Sequence, residues 1–196
     1  MKLIQEKKVG TIFNNKELKA IQKVFKSGTP LTRGKEVTLF EKKFAKYIKA
    51  KYAVSVSSCG AALNISTKIL NLQKGDNVIT QSNAFWVTVV SLLEKNIKVI
   101  PVDVDPVTLN IDPKEIEKKI NNRTKAIYLV HFGGHPANLD KIYSLAKKHK
   151  IKVVEDCAHA CGAKYKGKYI GSNSEFACFS FSTHKNISTL GEGGMF

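Results

Sequence analysis

The sequence predicts an α/β fold: a three-layer α/β/α arrangement around a mainly parallel sheet. Two observations lead there. Apolar spacing switches repeatedly between the helical and the strand period, the mark of alternating layers. Five short β-rich runs recur with a helical stretch between successive runs, and parallel strands need such crossovers. With 196 residues, 43% of them hydrophobic, the chain has enough apolar surface to bury a core.

The elements follow in order. Leu18, Ile21, Val24 and Phe25 share one face of an opening helix that Gly28-Thr29-Pro30 ends. A second helix carries Val37, Phe40, Phe44, Tyr47 and Ile48. The β-rich runs are Ala53–Val56, Asn77–Thr80, Val99–Val102, Ala126–Val130 and Ile151–Val154. Asp112-Pro113-Lys114-Glu115 reads as an N-cap, a proline in the first turn and a capping-box glutamate, so a helix should run from there to Asn121. Beyond residue 155, Lys164–Tyr169 reads as a hairpin and Ala177–Phe181 as another strand. At Gly193-Gly194-Met195-Phe196 a glycine-rich turn enters a new strand and the sequence stops. Domains rarely end there, and the expectation is an N-terminal piece of a longer protein. Residues 1–28 are assigned to an N-terminal helical segment and 29–196 to a larger, C-terminally incomplete domain.

The formal charge of +16 invites a nucleic-acid reading, which the composition resists. Of the 32 basic residues only Arg33 and Arg123 are arginines, whereas phosphate and base readers rely on the arginine fork. The lysines are scattered and form no stripe. No apolar run approaches the roughly 20 residues of a membrane helix, and Met1-Lys2-Leu3-Ile4-Gln5-Glu6 lacks the apolar core of a secretory signal. A soluble, cytoplasmic protein is expected, with neither nucleic-acid nor membrane partners. Cys59, Cys157, Cys161 and Cys178 form no CxxC pair, so no zinc site is expected, and four thiols suit a reducing compartment.

Five segments hold chemistry-bearing residues. In Val153–Ala160 an apolar strand delivers Asp156 at its C-terminal end, where open α/β sheets bind ligands, with His159 three residues on. Such an aspartate also serves as an ordinary turn cap. In Phe179–Asn186, Lys185 follows an apolar strand among hydroxyls, the setting of a desolvated amine able to form a Schiff base, although most lysines are solvated surface. Ser57–Leu63, ahead of a helix expected over Leu63–Leu70, has the small residues that leave backbone N–H groups open to a phosphate or simply permit tight packing. Trp86, the only tryptophan, either stacks on a planar ligand or fills core, and composition favours core. His131 and His135 have metal-like spacing, but Gly133, Gly134 and Pro136 argue for a loop that does not align the rings. No GxGxxG or GxxxxGK[ST] is present.

Read together, TPLTRGKEVTLFEKKFA, SSCGAAL, FWVT, VDVDPVTLNIDP, NRTKAIYLVHFGGHPANLD, KVVEDCAHACGAKYKGKYIGS and ACFSFSTHKNISTLGEGGMF resemble the DegT/StrS-type sugar aminotransferases, pyridoxal-phosphate enzymes whose large domain has the aspartate-aminotransferase fold. The matching stretches cover most of residues 29–196 in the family's order. The resemblance implies that Lys185 holds pyridoxal 5'-phosphate as a Schiff base and moves the proton, and that Asp156 pairs with the pyridine nitrogen. It implies that Trp86 stacks on the ring, that Gly60, Ala61 and Ser180 hold the phosphate, and that His159 lies beside the ring hydroxyl. The family's Gly-Thr phosphate turn reads Cys59-Gly60 here, so a threonine hydroxyl is missing. A dehydratase branch carries histidine in the lysine slot; His184 sits next door, but alignment through Asn186 puts Lys185 there. The implied reaction is amino transfer from an amino acid, glutamate by the family's habit, to a nucleotide-linked keto-sugar. The implied assembly is a homodimer whose subunits share residues. The rivals are a sugar dehydratase on the same scaffold and a truncated non-catalytic module.

Overall fold

A computed structural model of the chain describes residues 13–30, 32 and 34–196. Residues 1–12 of the expected N-terminal segment, with Leu31 and Arg33, lie outside the described residues. The helices are α1 (Asn15–Lys26), α2 (Lys35–Ile48), α3 (Cys59–Ile69), α4 (Val87–Glu94), α5 (Pro113–Lys119) and α6 (Leu139–His149). The strands are β1 (Ser55–Val56), β2 (Asn77–Gln81), β3 (Lys98–Val102), β4 (Thr124–Val130), β5 (Lys152–Asp156), β6 (Lys164–Tyr165), β7 (Lys168–Tyr169), β8 (Phe176–Ser180) and β9 (Gly194–Met195). Among the described residues, no helix is long and apolar enough to cross a membrane.

Seven strands form one sheet in the order β1-β9-β8-β5-β4-β2-β3. The run β3, β2, β4, β5, β8 is parallel, and β9 enters antiparallel between β8 and β1. Side-chain alternation along the central strands builds the three layers. Ala126 and Tyr128 of β4 pack with Leu63 and Leu92 of α3 and α4, while Ile127 and Leu129 pack with Ile116 and Ile142 of α5 and α6. Phe44 and Ile48 of α2 close a third cluster against Phe179, Phe181 and Met195. The three-layer α/β/α expectation holds, and the β6–β7 hairpin forms where the sequence put it.

Several boundaries move, each for a local reason. α3 starts at Cys59, not Leu63, because the Ser58 hydroxyl accepts from the Ala61 N–H as its N-cap. α5 stops at Lys119, short of Asn121: Ile120 turns extended, and the Asn121 side chain accepts from the Arg123 N–H. Glu115 makes no capping box. The Asp112 N–H is already bonded to the Asp103 carbonyl, and Glu115 pairs instead with Lys118. The box occurs at α1, where Asn14 and Glu17 cap each other. In α1, Leu18 and Phe25 are exposed and no residue of the helix is buried.

Candidate active site

The C-terminal ends of β2, β4, β5 and β8 surround a cavity of about 720 Å³. Its walls include Gly60, Trp86, Asp156, His159, Ser180 and Lys185, six of the seven site residues inferred from sequence. Ala61 is not on the wall, and its N–H is taken by Ser58 Oγ at 3.1 Å. The 131–135 loop behaves as its glycines suggested: Gly133 and Gly134 adopt positive φ, the His131 ring is buried, and His135 is exposed.

Asp156 ends β5 only 4% exposed, with its carboxylate held from three sides. Thr88 Oγ1 donates to Oδ2 at 2.7 Å, the Ala158 N–H to Oδ1 at 3.0 Å, and the Cys59 thiol to Oδ1 at 3.6 Å. Burial, reinforced by this carboxylate, pushes the Cys59 thiol well above its usual value, so it stays protonated and donates. The strand-end aspartate is therefore a buried carboxylate with three hydrogen-bond donors, facing the cavity, beyond a simple turn cap. Thr88 is the last residue of the FWVT stretch. Nothing in sequence spacing links it to a residue 68 positions away.

Trp86 sits at the N-terminal boundary of α4 and is 63% exposed, which removes the core alternative. Its ring packs at a tilt beside Phe85, 5.7 Å between centroids. Lys185 is half-buried in the segment joining β8 to β9. That segment is fixed by Lys185 N–H to the Ser182 carbonyl (2.9 Å), by Thr189 N–H to the Phe181 carbonyl (3.1 Å), and by Asn186 Nδ2 to the Cys161 carbonyl (2.8 Å). Partial desolvation, followed by the Lys185 charge, lowers the His159 imidazole below its usual value.

Glycine is needed at two places around this floor. A Cβ on Gly194 would lie 2.6 Å from Ser58 C and 2.8 Å from Cys59 N, so β9 crosses directly against the start of α3. Gly134, with φ +83°, passes so close to the loop after β5 that a Cβ would meet the His159 carbonyl at 2.7 Å. The open first turn of α3, which presents backbone N–H groups, is thus pinned between Ser58, β9 and α4 beside Ser180.

This geometry meets an independent match to a family model, DegT/DnrJ/EryC1/StrS aminotransferase, over residues 11–196. The chain belongs to the DegT/DnrJ/EryC1/StrS aminotransferase family. Pyridoxal 5'-phosphate is the cofactor of the family. The spore coat polysaccharide biosynthesis protein SpsC of Bacillus subtilis is 40% identical over 184 residues, covering 94% of this chain and 47% of SpsC. An aminotransferase from Psychrobacter cryohalolentis superposes with a TM-score of 0.90 at 36% identity, covering 94% of this chain and 47% of that one. A GDP-4-keto-6-deoxymannose-3-dehydratase (ColD) mutant with bound GDP-perosamine gives 0.90 at 32% identity, covering 96% and 50%. The chain spans about half the length of the curated relatives it matches. Membership supports the large domain of the aspartate-aminotransferase fold and a sugar-modifying enzyme class that contains both aminotransferases and dehydratases.

Proposed function

We propose that this chain is the cofactor-binding part of a pyridoxal-phosphate aminotransferase that moves an amino group from an amino acid, glutamate in the first instance, to a nucleotide-linked keto-sugar. The observation that carries the reading is the convergence of Lys185, Asp156 and Trp86 on one cavity. The residues fit the cofactor by their chemistry: an amine, a buried carboxyl group, an exposed aromatic face, and a helix N-terminus beside a hydroxyl. The volume lies in the usual range for small-molecule sites.

When bound, the cofactor supplies an electron sink for the pair released as a substrate C–H bond breaks. Asp156, its carboxylate held by three donors, would pair with the ring nitrogen and favour its protonated form. Lys185 Nζ attaches the cofactor and carries the proton to and from the reacting carbons. Trp86 offers its face to the ring. Ser180 and the first N–H groups of α3, Gly60 among them, hold the phosphate, and Ala61 joins them only if its N–H leaves Ser58. His159, kept neutral by partial desolvation and Lys185, offers an uncharged ring nitrogen to the ring hydroxyl.

A dehydratase is the rival, because His184 also lines the cavity. Lys185 in the attachment slot favours amino transfer. The working enzyme is read as a cytoplasmic homodimer, with no nucleic-acid or membrane partner. The test is to incubate the chain with pyridoxal phosphate, reduce with borohydride, digest, and locate the modified lysine by mass spectrometry. Selective labelling of Lys185 supports the reading, and scattered labelling across the 30 lysines rejects it. Sugar turnover that consumes no amino donor would select the dehydratase.

A further inference from the structure

Directly behind Asp156, on the opposite face of the sheet, lies a buried polar network with no part in the chemistry above. Glu155 is 1% exposed and His131 0%, one at the end of β5 and the other just past β4. His131 Nδ1 accepts the Ala137 N–H at 3.1 Å, which puts the ring proton on Nε2, and Nε2 donates to Glu155 Oε2 at 2.9 Å. The Tyr143 hydroxyl from α6 donates to the other carboxylate oxygen, Oε1. Burial, then the Glu155 carboxylate, pushes the Tyr143 phenol up, so it too stays a donor. The backbone closes the loop: the His131 N–H donates to the Asp156 carbonyl at 3.2 Å.

His131, Glu155 and Cys157 could be read as a metal site, since their ligand atoms lie within 4.8 Å of one another. The hydrogen bonds argue otherwise. His131 Nδ1 is occupied by a backbone N–H, and both Glu155 oxygens already accept from protonated partners. A buried polar network of this kind is a poor means of gaining stability, because apolar side chains of similar volume serve as well or better. It does fix geometry, since each Glu155 oxygen accepts from its own donor, with Ser174 Oγ a second partner of the Tyr143 hydroxyl at 3.2 Å.

We propose that His131, Glu155 and Tyr143 are positioning residues for Asp156. They lock the ends of β4 and β5 together from α6, so that the residue following Glu155 presents its carboxylate to the cavity at one fixed depth. None of the three touches the cavity floor directly; they act through the Asp156 backbone. The proposal rests on the reading of Asp156 as the partner of the cofactor ring.

Glu155→Gln is the sharpest perturbation. The carboxylate is lost, and the new amide NH2 finds an acceptor only if the Tyr143 hydroxyl reverses to accept it and donates to Ser174 Oγ, 3.2 Å away, instead. Tyr143→Phe is the milder companion, removing one donor and leaving the His131 pair. Ile116→Val, in α5 and fully buried away from the site, controls for general loss of stability. In the cofactor-free protein, hydrogen exchange of the His131 and Ala137 amides should accelerate about tenfold in Glu155→Gln and less in Tyr143→Phe, beyond any rise in Ile116→Val. The dissociation constant for pyridoxal phosphate should rise about tenfold in Glu155→Gln and stay unchanged in Ile116→Val. Equal exchange in Glu155→Gln and Ile116→Val, or an unchanged dissociation constant in Glu155→Gln, overturns the proposal. Should Glu155→Gln not fold, the same two comparisons on Tyr143→Phe decide. If the unaltered chain binds no pyridoxal phosphate, the functional reading fails, and the exchange comparison alone decides whether the clamp exists.

Discussion

Thr88→Val tests the construction of the site at its most specific contact. The side chains are nearly isosteric, so no cavity opens, and the main loss is the 2.7 Å hydrogen bond to Asp156 Oδ2. Thr88 is fully buried and Asp156 is 4% exposed, so water cannot replace the missing donor. A hydrogen bond to a charged acceptor contributes about 1.5–3 kcal/mol net, and the buried setting argues against the low end. A loss of about 2 kcal/mol corresponds to about 4–8 °C in melting temperature for a chain of this size. Urea unfolding of the cofactor-free protein, followed by circular dichroism, should give that loss for Thr88→Val and a much smaller one for Thr88→Ser, which keeps the hydroxyl. Affinity for pyridoxal phosphate should fall with Thr88→Val, because a carboxylate with one donor fewer is less firmly aimed. If the valine and serine variants unfold within about 0.5 kcal/mol of each other, the bond has no energetic role and the account of Asp156 is wrong.

Other outcomes follow from the same geometry. Trp86→Ala should leave the stability of the cofactor-free chain within about 0.5 kcal/mol, since the ring is exposed, and weaken cofactor binding by about 0.5–1.5 kcal/mol; unchanged affinity on titration would remove the stacking role. Gly194→Ala should cost at least about 2 kcal/mol in urea unfolding, because the new methyl meets backbone that cannot move without displacing the start of α3. A wild-type midpoint in that variant would refute the close approach. His159 should titrate by NMR below the usual histidine value, and its midpoint should climb in Lys185→Ala, where the repelling cation is gone. Because folding favours the neutral ring, its contribution to stability is present above about pH 6.5 and is lost as pH falls through the lowered midpoint. A midpoint indifferent to Lys185→Ala would separate the two residues in space.

Much of the fold was legible because its signals are local. Hydrophobic period marked the strands that became β2, β4 and β5, and a glycine between two Lys-Tyr pairs marked the hairpin. Boundaries were less so, because caps depend on which partner reaches a backbone group first. Ser58 extended α3 toward the cavity, and the Asp103 carbonyl claimed the N–H that a capping box at Glu115 would have needed. Trp86 shows the limit of composition as a guide: an unpaired tryptophan suggested core, whereas its place at the N-terminal boundary of α4 left it exposed on the cavity wall.

By itself, the sequence determined the layer architecture, the strand-end location of Asp156, the lysine after β8 and the family to which these segments belong. It could do so because periodicity and contiguous motifs are written in adjacent residues. Only the tertiary structure decided what holds Asp156 on each side: Thr88 and Cys59 from the helices on one face, and His131, Glu155 and Tyr143 behind the other. These contacts join residues far apart in the chain through a parallel sheet whose crossovers erase sequence proximity. A carboxylate's surroundings are set by the elements the sheet order makes neighbours, and no local pattern encodes that order.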